Sequence, residues 1–308
     1  MILSVTMNPS QDKVYIVDDF SVNNIYRTNH YTATAGGKGL NVARVVKELK
    51  EDIITTGLLG GMTGTFIKDE LKKHKIKNEF VNISGETRTC INITDQKNNT
   101  TTEILETGPK IKNSEIKRFI EKYKKLIKKA DIITLSGSLP KGLDDDFYYE
   151  LVVYAKKMEK KVILDTSGQP LKEGIKAKPY MIKPNEDELN NLFDQNIKKL
   201  SDYIKALDKI KEMGIKLPVI SLGKDGAVAM VENNYYHFKL PQVDVINTVG
   251  SGDAFVAGCA IGLQKNNLIE TIKLGIACGT ANTMFAKTGK ETEQTVNQFL
   301  NKNEVVKI

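Results

Sequence analysis

Long apolar runs are missing from this chain of 308 residues. No stretch comes near the roughly 18 consecutive apolar residues that a membrane-spanning helix needs. Cysteine is scarce: Cys90, Cys259 and Cys278 are far apart, with no CxxC pair and no histidine companion. That argues against a disulfide framework or a zinc site and for a reducing compartment. The stretch Met1-Ile2-Leu3-Ser4-Val5-Thr6 has no basic lead and reaches Asn8-Pro9 at once, so it reads as a strand rather than a signal peptide. A cytoplasmic location without membrane contact is expected. There is also no compact Arg/Lys patch with interleaved aromatics. The net charge of +7 comes from lysines such as Lys117, Lys122, Lys124, Lys125, Lys128 and Lys129, a solvated helix face, so no nucleic-acid partner is expected. The excess still helps to draw in small anions. No internal repeat or low-complexity linker divides the chain. Its 40% hydrophobic and 27% charged content is ordinary for a globular protein, and one domain over residues 1–308 is expected.

Two nucleotide-binding signatures are missing as well. Gly36-Gly37-Lys38-Gly39 lacks the spacing and the Lys-Ser/Thr pair of a Walker loop, and Gly60-Gly61-Met62-Thr63-Gly64 does not give G-x-G-x-x-G. A nicotinamide dehydrogenase is therefore disfavoured. What the chain does have is Thr248-Val249-Gly250-Ser251-Gly252-Asp253-Ala254-Phe255, a Gly-rich turn running into an apolar segment. Glycines let backbone amides turn toward one point, and a helix starting there adds its positive end, so an anion would be held. Asp253 at that start is either a helix cap or a carboxylate kept to take a proton. The glycines of 36–39, at the head of Val42, Val45, Val46 and Leu49 in helical spacing, offer a second anion site with a lysine in it.

Patterning supplies the frame. Ile2–Thr6 reads as a buried strand, with Asp12 in the loop after it. Segments 13–20 and 27–35 alternate as half-exposed strands. Segments 80–83, 88–94 and 100–105 are short and polar-faced, and such a group reads as a small sheet lying over something else, a lid. From Ile111 onward strands and helices alternate, with strands over 132–135, 162–164, 180–183 and 219–222, a hairpin of 227–231 and 235–240 across Asn233-Asn234, and a final helical region. This is an α/β fold with a mostly parallel sheet covered on both faces. Ligands of such sheets bind outside the C-terminal strand ends. Asp12, Ser136, Asn185, Gly223 and Gly250 all follow expected strands and are expected to converge there.

The ordered set Asn8-Pro9 with Asp12, Gly36-Gly37-Lys38-Gly39 with Asn41, Gly60-Gly61, Ser136-Gly137-Ser138-Leu139-Pro140, Lys183-Pro184-Asn185 with Glu188, Ser221-Leu222-Gly223 and Gly250-Ser251-Gly252-Asp253 resembles the ribokinase-like, phosphofructokinase B type carbohydrate kinases over essentially the whole chain. Gly85-Glu86-Thr87-Arg88-Thr89-Cys90 and Thr102-Glu103-Ile104-Leu105-Glu106 with Gly108-Pro109 are similar to the phosphosugar branch, the tagatose-6-phosphate kinases before the 1-phosphofructokinases. Gln11 stands where an aliphatic residue is usual, and Ser251 where alanine is common. A non-catalytic nucleotide-binding regulator of this fold would be expected to lose Asp253 or the Gly250/Gly252 pair, and both stand.

The resemblance implies a three-layer α/β/α ribokinase-like fold with a β-sheet lid within about 13–35 and 86–107. It implies ATP and Mg²⁺ as cofactors and phosphorylation of tagatose-6-phosphate, or alternatively fructose-1-phosphate. Asp253 would be the base, with Gly250, Ser251 and Gly252 around the transferring phosphoryl group. Asp12, Gly36, Gly37, Asn41 and Ser138 would bind the sugar. Arg27, Lys38 and Arg88, converging without an acidic partner, would grip its phosphate. Lys183, Asn185, Ser221, Gly223, Gly226 and Thr248 would line the nucleotide site, and Asn185 with Glu188 would hold the metal through water. A homodimer paired through its lid sheets is expected.

Overall fold

A computed structural model describes residues 1–285, 289 and 292–308. The strand Ile2–Thr6 is buried along its whole length. Side chains alternate across a strand, so Ile2 shares one face with the buried hydroxyls of Ser4 and Thr6, and Leu3 and Val5 form the other. Ile2 packs with Leu40, Val42, Val46, Phe255 and Ile276 on one side. Leu3 and Val5 pack with Phe119, Tyr123, Leu151 and Leu207 on the other. Two separate cores on one sheet give the three layers.

The central sheet runs in the order Glu304–Lys307, Asn234–Lys239, Ala227–Val231, Leu217–Ser221, Met181–Ile182, Lys161–Asp165, Ile132–Ser136, Ile2–Thr6, Ile53–Gly60 and Lys77–Asn78, and Val81–Ile83 also pairs with Ile53–Gly60. Every pairing from Leu217–Ser221 to Lys77–Asn78 is parallel, and the hairpin end is antiparallel. A second sheet stands apart, in the order Tyr31–Gly36, Ser10–Val17, Arg88–Asp95 and Thr100–Leu105. Thr100–Leu105 is exposed throughout.

Several boundaries differ from expectation for identifiable reasons. Val81–Ile83 belongs to the central sheet, parallel to Ile53–Gly60, because Val81 and Ile83 are buried and only Asn82 faces out. Of the lid strands expected at 13–20 and 27–35, the first runs earlier at both ends, Ser10–Val17, and the second starts and ends later, Tyr31–Gly36. Asp19 and Asn23 adopt positive φ, and the Asp95 carboxylate takes the amides of Asp19 and Phe20 at 2.9 and 2.7 Å, so the chain turns there. The helix Gly168–Ile175 went unread behind Pro170, yet proline is tolerated in a first turn, where amides lack intrahelical partners. The hairpin turn is one residue early, at Glu232 and Asn233. Both have positive φ, as a two-residue turn matching strand twist requires. The edge strand Glu304–Lys307 was hidden by its shortness and polar ends.

Candidate active site

The helix Ser251–Gly262 is buried nearly all round, as a helix apolar on every face must be. It packs on Leu268–Thr283 at very short range, because glycines stand at the contact: a Cβ on Gly258 would come 2.5 Å from Leu274 O. The helix therefore cannot shift without disturbing the core. Gly250, in the left-handed region at φ 81°, is its N-cap. Beyond Ser251, whose amide closes the preceding turn, the amides of Gly252 and Asp253 point out of the first turn, where the helix dipole is positive.

Asp253 lies in that turn, 7% exposed. Asn41 Nδ2, from the helix Lys38–Glu48, donates to Asp253 Oδ2 at 2.7 Å. Burial, and then the neighbouring Asp165 carboxylate, push the Asp253 carboxyl up to about 7, against the opposing pull of Lys38, Asn41 and Lys183. A general base is most effective with its pKa near the working pH.

Cations flank it. Lys183 is buried, with Nζ 3.4 Å from Ser221 Oγ and 5.8 Å from the centre of the Phe255 ring. A Cβ on Gly252 would fall 3.6 Å from that ammonium, so glycine and lysine share one small space at the helix end. Lys38 Nζ stands 3.4 Å from Asp165 Oδ2 and 3.6 Å from Glu188 Oε1. Asp165, then Glu188 and Asp253, hold its ammonium well above the ordinary lysine range despite burial. Asp165 is a buried residue that sequence reasoning passed over. Its signal was its position, a carboxylate at the C-terminal end of a parallel strand.

The side on which the sugar is expected is built from the lid sheet and the segments next to it. Asp12 pairs in register with Thr34 and Cys90, and its Oδ1 accepts from Ser10 Oγ at 2.6 Å. Burial pushes the Asp12 carboxyl up, while the Ser10 hydroxyl and the charges of Arg44 and Arg88 draw it back. Glycine at 36 leaves the Asp12 carboxylate its place, since a Cβ there would lie 2.0 Å from Asp12 Cγ. Gly37 caps the helix Lys38–Glu48. Asn8 ties these parts together: its Nδ2 donates to Ser138 Oγ and Thr107 O, both at 3.2 Å. Arg88 Nε donates to Asn8 O at 3.1 Å and Arg88 Nη1 to Glu106 O at 3.0 Å.

On the remaining side Asn185 caps the helix Glu186–Phe193. Its Oδ1 accepts from Glu188 N at 2.8 Å, and Asn185 N donates to Glu188 Oε2 at 3.1 Å, a reciprocal capping box. Asn185 also bridges to Ser221. Gly223 has open space where a Cβ would be. Gly226 would drive a Cβ to 1.9 Å from Phe238 O, so its reason is packing on the hairpin rather than room for a ligand. Thr248 is exposed and its carbonyl accepts from Ser251 N at 3.2 Å, closing the turn.

One expectation fails. Lys38, Arg27 and Arg88 do not converge as three cations without an acidic partner. Lys38 stands among carboxylates. Arg27 is exposed, in the loop next to Thr28, whose hydroxyl bonds Ile16 O. Arg88 pairs in register with Ser10, so the two arginines occupy opposite ends of the lid sheet, about 20 Å apart at the rise of a strand. The cation that does accompany Arg88 at Asp12 is Arg44, which the sequence reading missed. Its signal was a helical spacing of three from Asn41.

Phosphoryl transfer asks for positioning and charge stabilisation more than for covalent chemistry, and the surroundings of Asp253 offer both on a ribokinase-like scaffold. The class so defined is a phosphotransferase with an alcohol group as acceptor and ATP as donor. The family model for pfkB family carbohydrate kinases matches residues 5–294, and the chain belongs to that family. It is 40% identical to the tagatose-6-phosphate kinase of Staphylococcus epidermidis, across the full length of both chains. Among solved structures it is similar to a protein of Thermotoga maritima described as a possible 1-phosphofructokinase, at 28% identity and a TM-score of 0.91, covering 100% of this chain and 99% of that one. It is also similar to the tetrameric inhibited form of phosphofructokinase-2 from Escherichia coli, at 25% identity and a TM-score of 0.91, with 98% of each chain covered. No helix among the described residues is long and apolar enough to cross a membrane.

Proposed function

We propose that the protein transfers the γ-phosphoryl group of ATP to the free primary hydroxyl of tagatose-6-phosphate, giving tagatose-1,6-bisphosphate and ADP in the cytoplasm. The observation that carries the reading is the buried Asp253 carboxyl, poised near neutrality at the amide-rich end of a fixed helix. Asp253 takes the hydroxyl proton as the sugar oxygen bonds to phosphorus and the bond to the ADP oxygen breaks. The amides of Gly250, Gly252 and Asp253, with Lys183 beside them, stabilise the charge on the phosphoryl oxygens, and Ser251 closes the turn that presents them. Ser221, Gly223 and Thr248 edge the nucleotide side, while Asp12, Asn41, Ser138 and the glycines 36 and 37 orient the sugar. Arg88 faces the substrate phosphate.

A Mg²⁺ ion fits this site through water rather than by direct capture. No cluster of three or more His, Cys, Asp or Glu side chains suited to metal occurs among the described residues. Yet Asp165 Oδ2 is buried without a hydrogen bond, and Glu188 turns an oxygen to the same ammonium. Asn185, Glu188 and Asp165 would hold the hydrated ion, which would neutralise phosphate charge.

The 40% identity to a tagatose-6-phosphate kinase favours that substrate. The likeness to the Thermotoga protein keeps fructose-1-phosphate as a second reading, because a ketohexofuranose is pseudo-symmetric and either end can enter one site. Steady-state kinetics with tagatose-6-phosphate, fructose-1-phosphate, fructose-6-phosphate and free tagatose decide it. The reading expects the highest kcat/KM with tagatose-6-phosphate, and free tagatose turned over as efficiently would overturn it. A homodimer through the lid is part of the proposal. It is supported by the exposed apolar side chains Val22, Ile25, Tyr31, Ile104 and Leu105 on or beside that sheet.

A further inference from the structure

We propose that Arg44 is a positioning residue for phosphoryl transfer: its guanidinium locks the Asn41 carboxamide in the orientation that presents an amide donor to Asp253. This rests on Asp253 being the base. Arg44 Nη1 donates to Asn41 Oδ1 at 2.6 Å, and Asn41 Nδ2 donates to Asp253 Oδ2 at 2.7 Å. A carboxamide is an acceptor at one end and a donor at the other. With a guanidinium on one side and a carboxylate on the other, only one of its two orientations makes both contacts. The flipped one would set oxygen against carboxylate and NH₂ against guanidinium.

The lock stands on fixed ground. Arg44 and Asn41 are three apart on one helix face, and that helix is held by the buried Val42, Ala43, Val45 and Val46. Gly289 lies against the arginine stem, for a Cβ there would come 2.5 Å from Arg44 Cβ. The same guanidinium draws down the Asp12 carboxyl, so a single side chain bears on the carboxylate expected at the sugar and on the donor to the base.

Asp253 is faced by Asp165 from the end of Lys161–Asp165, by Lys38 from the helix that carries Asn41, and by Lys183 after Met181–Ile182. Losing the Asn41 donor leaves its anion less stabilised, so its pKa rises and less base is available at a given pH. Arg44→Met keeps the stem and removes the donor, and Arg44→Lys keeps stem, charge and a donor.

The test is the pH profile of kcat/KM for tagatose-6-phosphate, alongside a carbon-13 NMR titration of the Asp253 carboxyl. For Arg44→Met we expect a loss of ~10- to 100-fold, with the acid limb and the NMR midpoint moving up together. Arg44→Lys should recover most of both, and the KM for ATP should not change. A Met variant whose midpoint stays at the wild-type pH, or Lys and Met variants equally impaired, would overturn the proposal. If the Met variant does not fold, the wild type still tests it. The Asn41 side-chain amide protons must shift with the Asp253 titration, and an Asn41 amide indifferent to it overturns the contact. Full activity in Asp253→Asn would instead remove the base reading, and the NMR arm would still judge the hold of Arg44 on Asn41.

Discussion

The two sheets of this molecule are held together by different forces. In the central sheet Ile2–Thr6 is wholly buried between two apolar cores. In the lid, Ser10–Val17 is half-buried after its first residue and Thr100–Leu105 is exposed. What organises the lid tip is polar. Asp95 accepts from the amides of Asp19, Phe20, Lys97 and Asn98 and from the side chain of Asn98, and Lys97 pairs with Asp19. Asp253, the proposed base, and its helix belong to the rigid part, and Asp12 and Arg88 to the loosely buried one. On the proposed function, chemistry is fixed in a region whose opening approaches global unfolding, and substrate capture in one that can adjust at low energy.

The comparison breaks most sharply at Asp253. Asp253→Asn should lower kcat by ~10² to 10⁴-fold, the range for a lost general base, with ATP binding unchanged. Thermal stability near neutrality should be equal or higher, since a buried carboxyl pushed up to about 7 opposes folding when ionised. A near-normal kcat would move the base elsewhere. Next comes Arg88→Ala, a lid residue. It should cut kcat/KM for tagatose-6-phosphate by ~10- to 100-fold, the scale of a lost hydrogen bond to a charged group, while the KM for ATP holds. An equal effect on ATP would mean that lid and rigid part do not divide the substrates.

The lid's apolar side gives a smaller effect. Val22 and Ile25 are each 81% exposed, so Ile25→Asp should shift light scattering from dimer to monomer and raise the sugar KM a few-fold, about 1 kcal/mol or less. A wild type monomeric at working concentration would end the lid-pairing idea. Smallest is Asp95→Asn. Burial pushes this carboxyl up, but the hydrogen bonds from Asn98 and from the amides of Phe20, Asn98 and Asp19 prevail and hold it down to about 2. A depressed carboxyl stabilises above its unfolded pKa near 4, and that contribution fades as pH falls toward 2. Hydrogen-exchange protection at Asp19, Phe20, Lys97 and Asn98, taken relative to the intrinsic rate at each pH, should fall in the variant and in acid, while the amides of Ile2–Thr6 stay protected.

Most of this division could be read from residues. Apolar runs bounded by Gly, Asn and Pro located the central strands, and the short, polar-faced segments 88–94 and 100–105 located the lid. Gly250 to Asp253 identified the helix start because backbone geometry there restricts residue choice. Charge placement was less legible. Lys38 among glycines looked like a free cation, and only the fold brings Asp165, from a strand 127 positions away, within 3.4 Å of it. Arg27 and Arg88 shared a lid in sequence but lie at its opposite ends once the register is set. A one-dimensional pattern gives burial and turns, whereas partners in a charge network are set by which strand ends the sheet order brings together.

The most direct test of the account is the pH dependence of kcat/KM for tagatose-6-phosphate in the wild-type enzyme. A carboxyl held at about 7 by burial and by Asp165 predicts activity that falls on the acid side with a midpoint near neutrality, and a residual activity in Asp253→Asn that lacks this limb. A midpoint near 4, or the same limb persisting in Asp253→Asn, would contradict it.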